Sequence, residues 1–273
     1  MSVIRTDQWL EELYEEPIKL CEKIRMYFDG AQAYEIYDYL TQYGMYHPFK
    51  NGNEQVIKLR ENQVWEIVQD EEQQLQKMWE GPNIPVFIFP SDTNNRKIIM
   101  DFNGKSGLAF KDKLFLFISK DTLEKEIRSL FTHEYNHVCR LSKYKKSEEN
   151  YFLLDTIILE GLAENAVRER FGKEFIAAWA SYYSADKLEK MWNNLVHPNK
   201  NILKTDRKHQ QILYGLGSYP KMAGYCVGYY LVKKYIEANS LTSYDLLDAP
   251  SDKIAHIIMT KQLTSEKNQI NND

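Results

Sequence analysis

The sequence predicts a helix-rich α+β fold, and three observations predict it. Apolar residues recur at near-helical spacing through residues 1–82. The short stretch 84–118 is instead β-branched and aromatic, and is punctuated by turn residues. Helical spacing then returns and holds to the C-terminal region. A period that changes from 3.6 to 2 and back marks a small sheet set between helical segments. With 43% hydrophobic and 27% charged residues among 273, the chain has enough apolar side chain for a packed core, which excludes a disordered, collagen-like or coiled-coil protein. Lys and Arg (35) against Asp and Glu (39) leave a net charge of -4, without the basic excess on which general nucleic-acid binding depends.

In chain order, Asp7 is placed to cap a helix carrying Trp9, Leu10, Leu13, Ile18, Leu20 and Ile24, with Pro17 as a break or kink. Further helices are expected over 32–43 and 54–79, the latter stopped by Gly81-Pro82-Asn83. Strands are expected over 84–90, 97–102, 104–110 and 114–118, the last two joined as a hairpin through Lys111-Asp112-Lys113. A helix over 121–142 follows, with Asp121 as cap, Glu124 reaching back, and Leu123, Ile127, Leu130, Phe131, Val138 and Leu141 at helical spacing. A helical lobe over 150–263 breaks at Gly172, at Pro198-Asn199 and at 215–220. The organisation expected is a helical N-terminal region (1–82), a domain of small sheet and helices (83–263) and a polar tail (264–273).

The chemistry is concentrated in His133-Glu134-Tyr135-Asn136-His137, an H-E-x-x-H pattern inside the helix over 121–142. Residues four apart face the same way on a helix, so both imidazoles can grip one ion, while Glu134 stands beside it as a base rather than a ligand. A catalytic zinc commonly takes three protein ligands and leaves a fourth position to water. Glu160 is the candidate third ligand, because it interrupts the apolar run Ile157-Ile158-Leu159 and Leu162-Ala163, where an unpaired carboxylate would be costly. Glu164 lies one turn further along the same face and is the candidate acceptor that orients a histidine through its other ring nitrogen.

HEYNH, followed 23 residues later by the glutamate of E-G-L-A-E, resembles the gluzincin group of zinc metallopeptidases. With the flanking Gly107-Leu-Ala-Phe, Leu-Phe-Leu-Phe-Ile and Ala223-Gly-Tyr-Cys-Val-Gly-Tyr, the stretch 84–240 is most similar to a little-studied bacterial family described as predicted zinc-dependent proteases. The resemblance implies a zincin-like catalytic domain with one zinc on His133, His137 and Glu160, and Glu134 as general base in peptide hydrolysis. No G-A-M-E-N-like motif precedes HEYNH, so an endopeptidase is expected rather than an aminopeptidase. Such enzymes bind an extended peptide along an edge strand, for which the segment of Gly107, Leu108 and Ala109 is the candidate, the alternative being an ordinary hairpin strand.

An oxyanion donor is also required, and the Gly- and Tyr-dense stretch 215–229 supplies candidates. Tyr225 is the first choice, with Tyr219 and His209 behind it; the alternative is that these tyrosines, with Ala223, Gly224 and Gly228, serve close helix packing. His197 and His256 lack partner spacing, Cys139 faces away from the histidine pair, and Lys143 to Lys146 reads as a solvated helix end. Three scattered cysteines, no apolar run of about 18 residues and no signal-peptide core give the expectation of a soluble, cytoplasmic protein, and the resemblance implies a peptide or protein substrate. Two other readings stay open: a metal-stabilised helical interaction protein without catalysis, and a zinc hydrolase of a non-peptide substrate.

Overall fold

Two units of comparable size, residues 1–139 and 140–273, make up the chain in a computed structural model that describes residues 2–96 and 104–257. The strand expected over 97–102 and the tail expected over 264–273 fall outside the described residues.

In the first unit the N-terminal helices are α1 (Thr6–Leu13), α2 (Pro17–Ile24), α3 (Ala33–Gln42), α4 (Asn53–Glu61) and α5 (Val64–Trp79). Pro17 stands at the first position of α2, where its missing N–H costs nothing and its fixed φ suits the turn, so the expected break becomes a helix start. Asp7 is not a cap. Its carboxylate is buried inside α1 and is held by Arg5 (2.7 Å) and Arg60 (3.1 Å), a demand for cations that periodicity does not reveal. The helix expected over 54–79 is in fact two, because Gln63 adopts a left-handed φ of 54° and the Asn62 side chain donates to the Lys120 carbonyl.

The sheet has the order β1 (Val86–Pro90), β3 (Leu114–Ile118), β2 (Ser106–Ala109). β1 and β3 pair in parallel and are buried along their whole length, as expected of strands covered on both faces. β2 pairs antiparallel to β3 through the expected hairpin. Pleating sends Gly107, Leu116 and Ile88 to one face and Leu108, Phe115 and Phe87 to the other. Tyr27 and Phe28 cover the second face, with ring centroids 5.1 Å from Phe87 and 5.8 Å from Phe115. Residues preceding α1 extend the sheet: the Ile4 N–H donates to the Val86 carbonyl (2.9 Å), and the Val86 N–H donates to Ser2 (3.0 Å).

Helix α6 (Glu124–Lys143) starts two residues later than the Asp121 cap implies. Asp121 sits in a turn closed by the Thr122 N–H on the Ser119 carbonyl, and it is Glu126 that reaches back, accepting from the Leu123 N–H (3.3 Å).

The second unit contains α7 (Leu153–Phe171), α8 (Ala185–Met191), α9 (Arg207–Tyr214), α10 (Ala223–Asn239) and α11 (Ser251–Ala255). α7 is buried on most sides, and α10 lies against it through glycines. A Cβ on Gly228 would sit 2.7 Å from the Ile157 carbonyl carbon, and one on Gly161 2.9 Å from the Val232 side chain and closer still to the Gly228 main chain. Backbone cannot step aside as a side chain can, so the G228A variant is expected to lose about 2–3 kcal/mol of unfolding free energy, measurable by denaturant titration. Asp155 ties the start of α7, accepting from the Phe152 N–H (3.0 Å), Ser251 (2.7 Å) and Lys146 (2.5 Å). Lys146 is thus a paired anchor rather than a solvated lysine. The buried Arg140 donates to the carbonyls of Leu246, Leu247 and Ala249. Cys21, Cys139 and Cys226 are buried and form no disulfide. Among the described residues no helix is long and apolar enough to cross a membrane.

Candidate active site

In the first unit His133 and His137 stand one turn apart on α6, with ring centroids 4.7 Å apart and planes at 87°. With zinc–nitrogen bonds of about 2.0–2.1 Å, and about 1.1 Å more to each ring centre, two imidazoles on one ion have centroids about 4.5–5.2 Å apart. The observed spacing falls inside that window, so this pair fits a shared ion.

Glu134 is buried and lies directly against β2. A Cβ on Gly107 would sit 2.6 Å from the Glu134 Oε1 and nearer still to Cγ and Cδ. Only glycine lets the carboxylate rest on the strand main chain. On the opposite face of β2 the Ser106 hydroxyl donates to the Tyr43 carbonyl (2.6 Å), tying the strand to the end of α3.

Helix α6 is held from α5 by a buried carboxylate. Glu71, 1% exposed, accepts from Arg128 (3.2 Å) and from the Thr132 hydroxyl (3.1 Å), immediately before His133. Sequence reading missed it because Asp70-Glu71-Glu72 looks like a solvated run. A signal was nevertheless present, since Glu71 and Glu72 continue the spacing of Val64, Val68, Leu75 and Trp79. Tyr135 stacks on Phe131 (5.4 Å) and donates to the Pro82 carbonyl (2.8 Å), fixing the rotation of α6 from its other side. Cys139 is buried beside Gly81 in the same region.

In the second unit Glu160 is half-buried on α7. The Tyr225 hydroxyl of α10 is hydrogen-bonded with the Glu160 carboxylate and with Tyr214 at the end of α9. Desolvation, reinforced by the Glu160 charge, raises the Tyr225 pKa well above its ordinary value, so this phenol keeps its proton. Its ring packs edge-on against Trp179 (5.2 Å) and tilted against Tyr214 (5.5 Å). Glu164 is buried, and its carboxylate accepts from the Ala177 N–H. His209 is fully buried with Nε2 3.1 Å from the Thr156 hydroxyl, and burial lowers its pKa. Tyr219 packs against the helical core. His197 leans on Trp192 (5.2 Å), and His256 Nδ1 lies 2.9 Å from the Asp252 carbonyl.

Each unit therefore assembles part of the expected set. The first brings together His133, Glu134, His137 and Gly107. The second brings together Glu160 and Tyr225, and adds Tyr214, which sequence reading did not single out.

A family model described as "Predicted Zn-dependent protease (DUF2268)" matches residues 64–256. The uncharacterized protein YjaZ of Bacillus subtilis (strain 168) is 41% identical over 255 residues, covering 92% of this chain and 97% of its own length. YjfC of the same strain, also uncharacterized, is 28% identical over 124 residues, 42% of each chain. No solved structure matches.

Proposed function

We propose, since this chain belongs to the DUF2268 family of predicted Zn-dependent proteases, that it hydrolyses peptide bonds at a zinc ion held by His133, His137 and Glu160, with Glu134 as general base. The observation that carries the reading is the arrangement on α6: two imidazoles spaced for a shared ion, and beside them a buried carboxylate laid on a strand. The donor chemistry supports it, since each of the three residues offers one ligand atom, two imidazole nitrogens and a carboxylate oxygen. Among the described residues no other group of three His, Cys, Asp or Glu side chains is suited to one ion.

When bound, zinc supplies Lewis acidity, lowering the pKa of water at the site toward about 7 and polarising a carbonyl. Glu134 takes the proton from the attacking water and hands it to the leaving amine. Gly107, Leu108 and Ala109 present the main chain along which an extended peptide pairs, which suits an endopeptidase with a zincin-like arrangement. Glu164, one turn beyond Glu160, is the acceptor proposed to orient a histidine.

The test is metal analysis of the purified protein, together with digestion of a peptide library with and without a chelator. One zinc per chain is expected, with cleavage abolished by chelation and restored by added zinc. Retained zinc with no cleavage of any peptide would instead favour a non-catalytic metal-stabilised protein.

A further inference from the structure

Glu160 and Gly161 are neighbours on α7, as are Gly224 and Tyr225 on α10. The glycines let the helices approach until main chain meets side chain, since a Cβ on Gly224 would sit 2.8 Å from the Leu213 Cα and 3.1 Å from the Ile157 side chain. Together with the Gly228 contact on Ile157, this brings the Tyr225 phenol onto the Glu160 carboxylate. A phenol has one proton and an ionised carboxylate has none. Giving that one proton to the Glu160 carboxylate leaves the Tyr225 oxygen able only to accept, from the Tyr214 hydroxyl.

We infer that Tyr214 and Tyr225 form a two-step hydrogen-bond chain that aims the Glu160 carboxylate at the metal, making Tyr225 a positioning residue rather than the oxyanion donor. This rests on the reading that Glu160 is a zinc ligand. A carboxylate has two oxygens, and a donor fixed on one leaves the other directed to the ion. Such outer partners typically change metal affinity by about 10–100-fold. Successive hydrogen bonds polarise one another, so Tyr214 acts through Tyr225 and has the smaller effect.

The experiment measures zinc affinity by competition with a chelator of known affinity, together with melting temperature and turnover at saturating zinc. The wild type, Y225F, Y214F, the double variant and E160Q are compared. The expected results are a 10–100-fold loss of zinc affinity in Y225F, a smaller loss in Y214F, and a double variant no weaker than Y225F. Melting temperatures of the apo proteins stay close to wild type, and kcat largely recovers once zinc saturates. A Y225F protein that binds zinc as tightly as wild type overturns the inference; if its kcat has then collapsed at saturating zinc, Tyr225 is the oxyanion donor instead. If E160Q binds zinc like wild type, or wild type binds none, the underlying ligand assignment fails, which is a separate result from normal affinity in Y225F alone. Should Y225F not fold, Y214F carries the same affinity measurement, and unchanged affinity there overturns the chain.

Discussion

The E134Q protein is expected to keep its zinc and lose its turnover. A general base positioned in the transition state contributes about 10²–10⁴-fold, so peptide cleavage should fall by at least 100-fold. The amide is nearly isosteric with the carboxylate, still fits against Gly107, and cannot take a proton. Metal content and cleavage rate measured on one preparation separate this role from metal binding. A loss of both would make Glu134 a ligand, and normal turnover would remove it from the mechanism.

The G107A protein is expected to fold normally and to cleave poorly. Gly107 lies in an extended strand and is absent from the positive-φ positions, so alanine meets no backbone strain there. The three atoms nearest the added methyl all belong to the Glu134 side chain, so it is that carboxylate that must move. Stability should thus change by less than about 1 kcal/mol, while the displaced carboxylate loses about 100-fold in rate, as a misplacement near 1 Å can do. Thermal melting and cleavage assayed together check both halves. Parallel losses of stability and rate would point instead to a strand that fails to form.

Much of this was legible in the sequence, and the reasons are specific. The helix carrying His133 and His137, the hairpin from β2 to β3, and the glycine stop after α7 follow from local patterns of two to seven residues. The close packing of Gly224 and Gly228, one of the two readings of that stretch, follows from their small size. What escaped were partnerships across long sequence separations. Asp7 carries cap chemistry but is claimed by Arg60, 53 residues away. Glu71 belongs to an acidic run, yet is buried because Arg128 and Thr132 meet it from 57 and 61 residues further on. Tyr225 was noticed for its hydroxyl, but its partners depend on where α7 and α9 come to lie. Periodicity identifies a buried face and is silent about which opposite face will satisfy its polar atoms.

The main-chain bonds from Ser2 and Ile4 to Val86 bear on how the protein is handled. They occupy the amide and carbonyl of Val86, at the start of the outer margin of a strand that runs Val, Phe, Ile, Phe before Pro90. An unoccupied margin of that kind is a template onto which another chain can hydrogen-bond. Displacing residues 2–4 from β1 would uncover that template and invite self-association. Expression designs that leave residues 2–4 in place keep that margin closed.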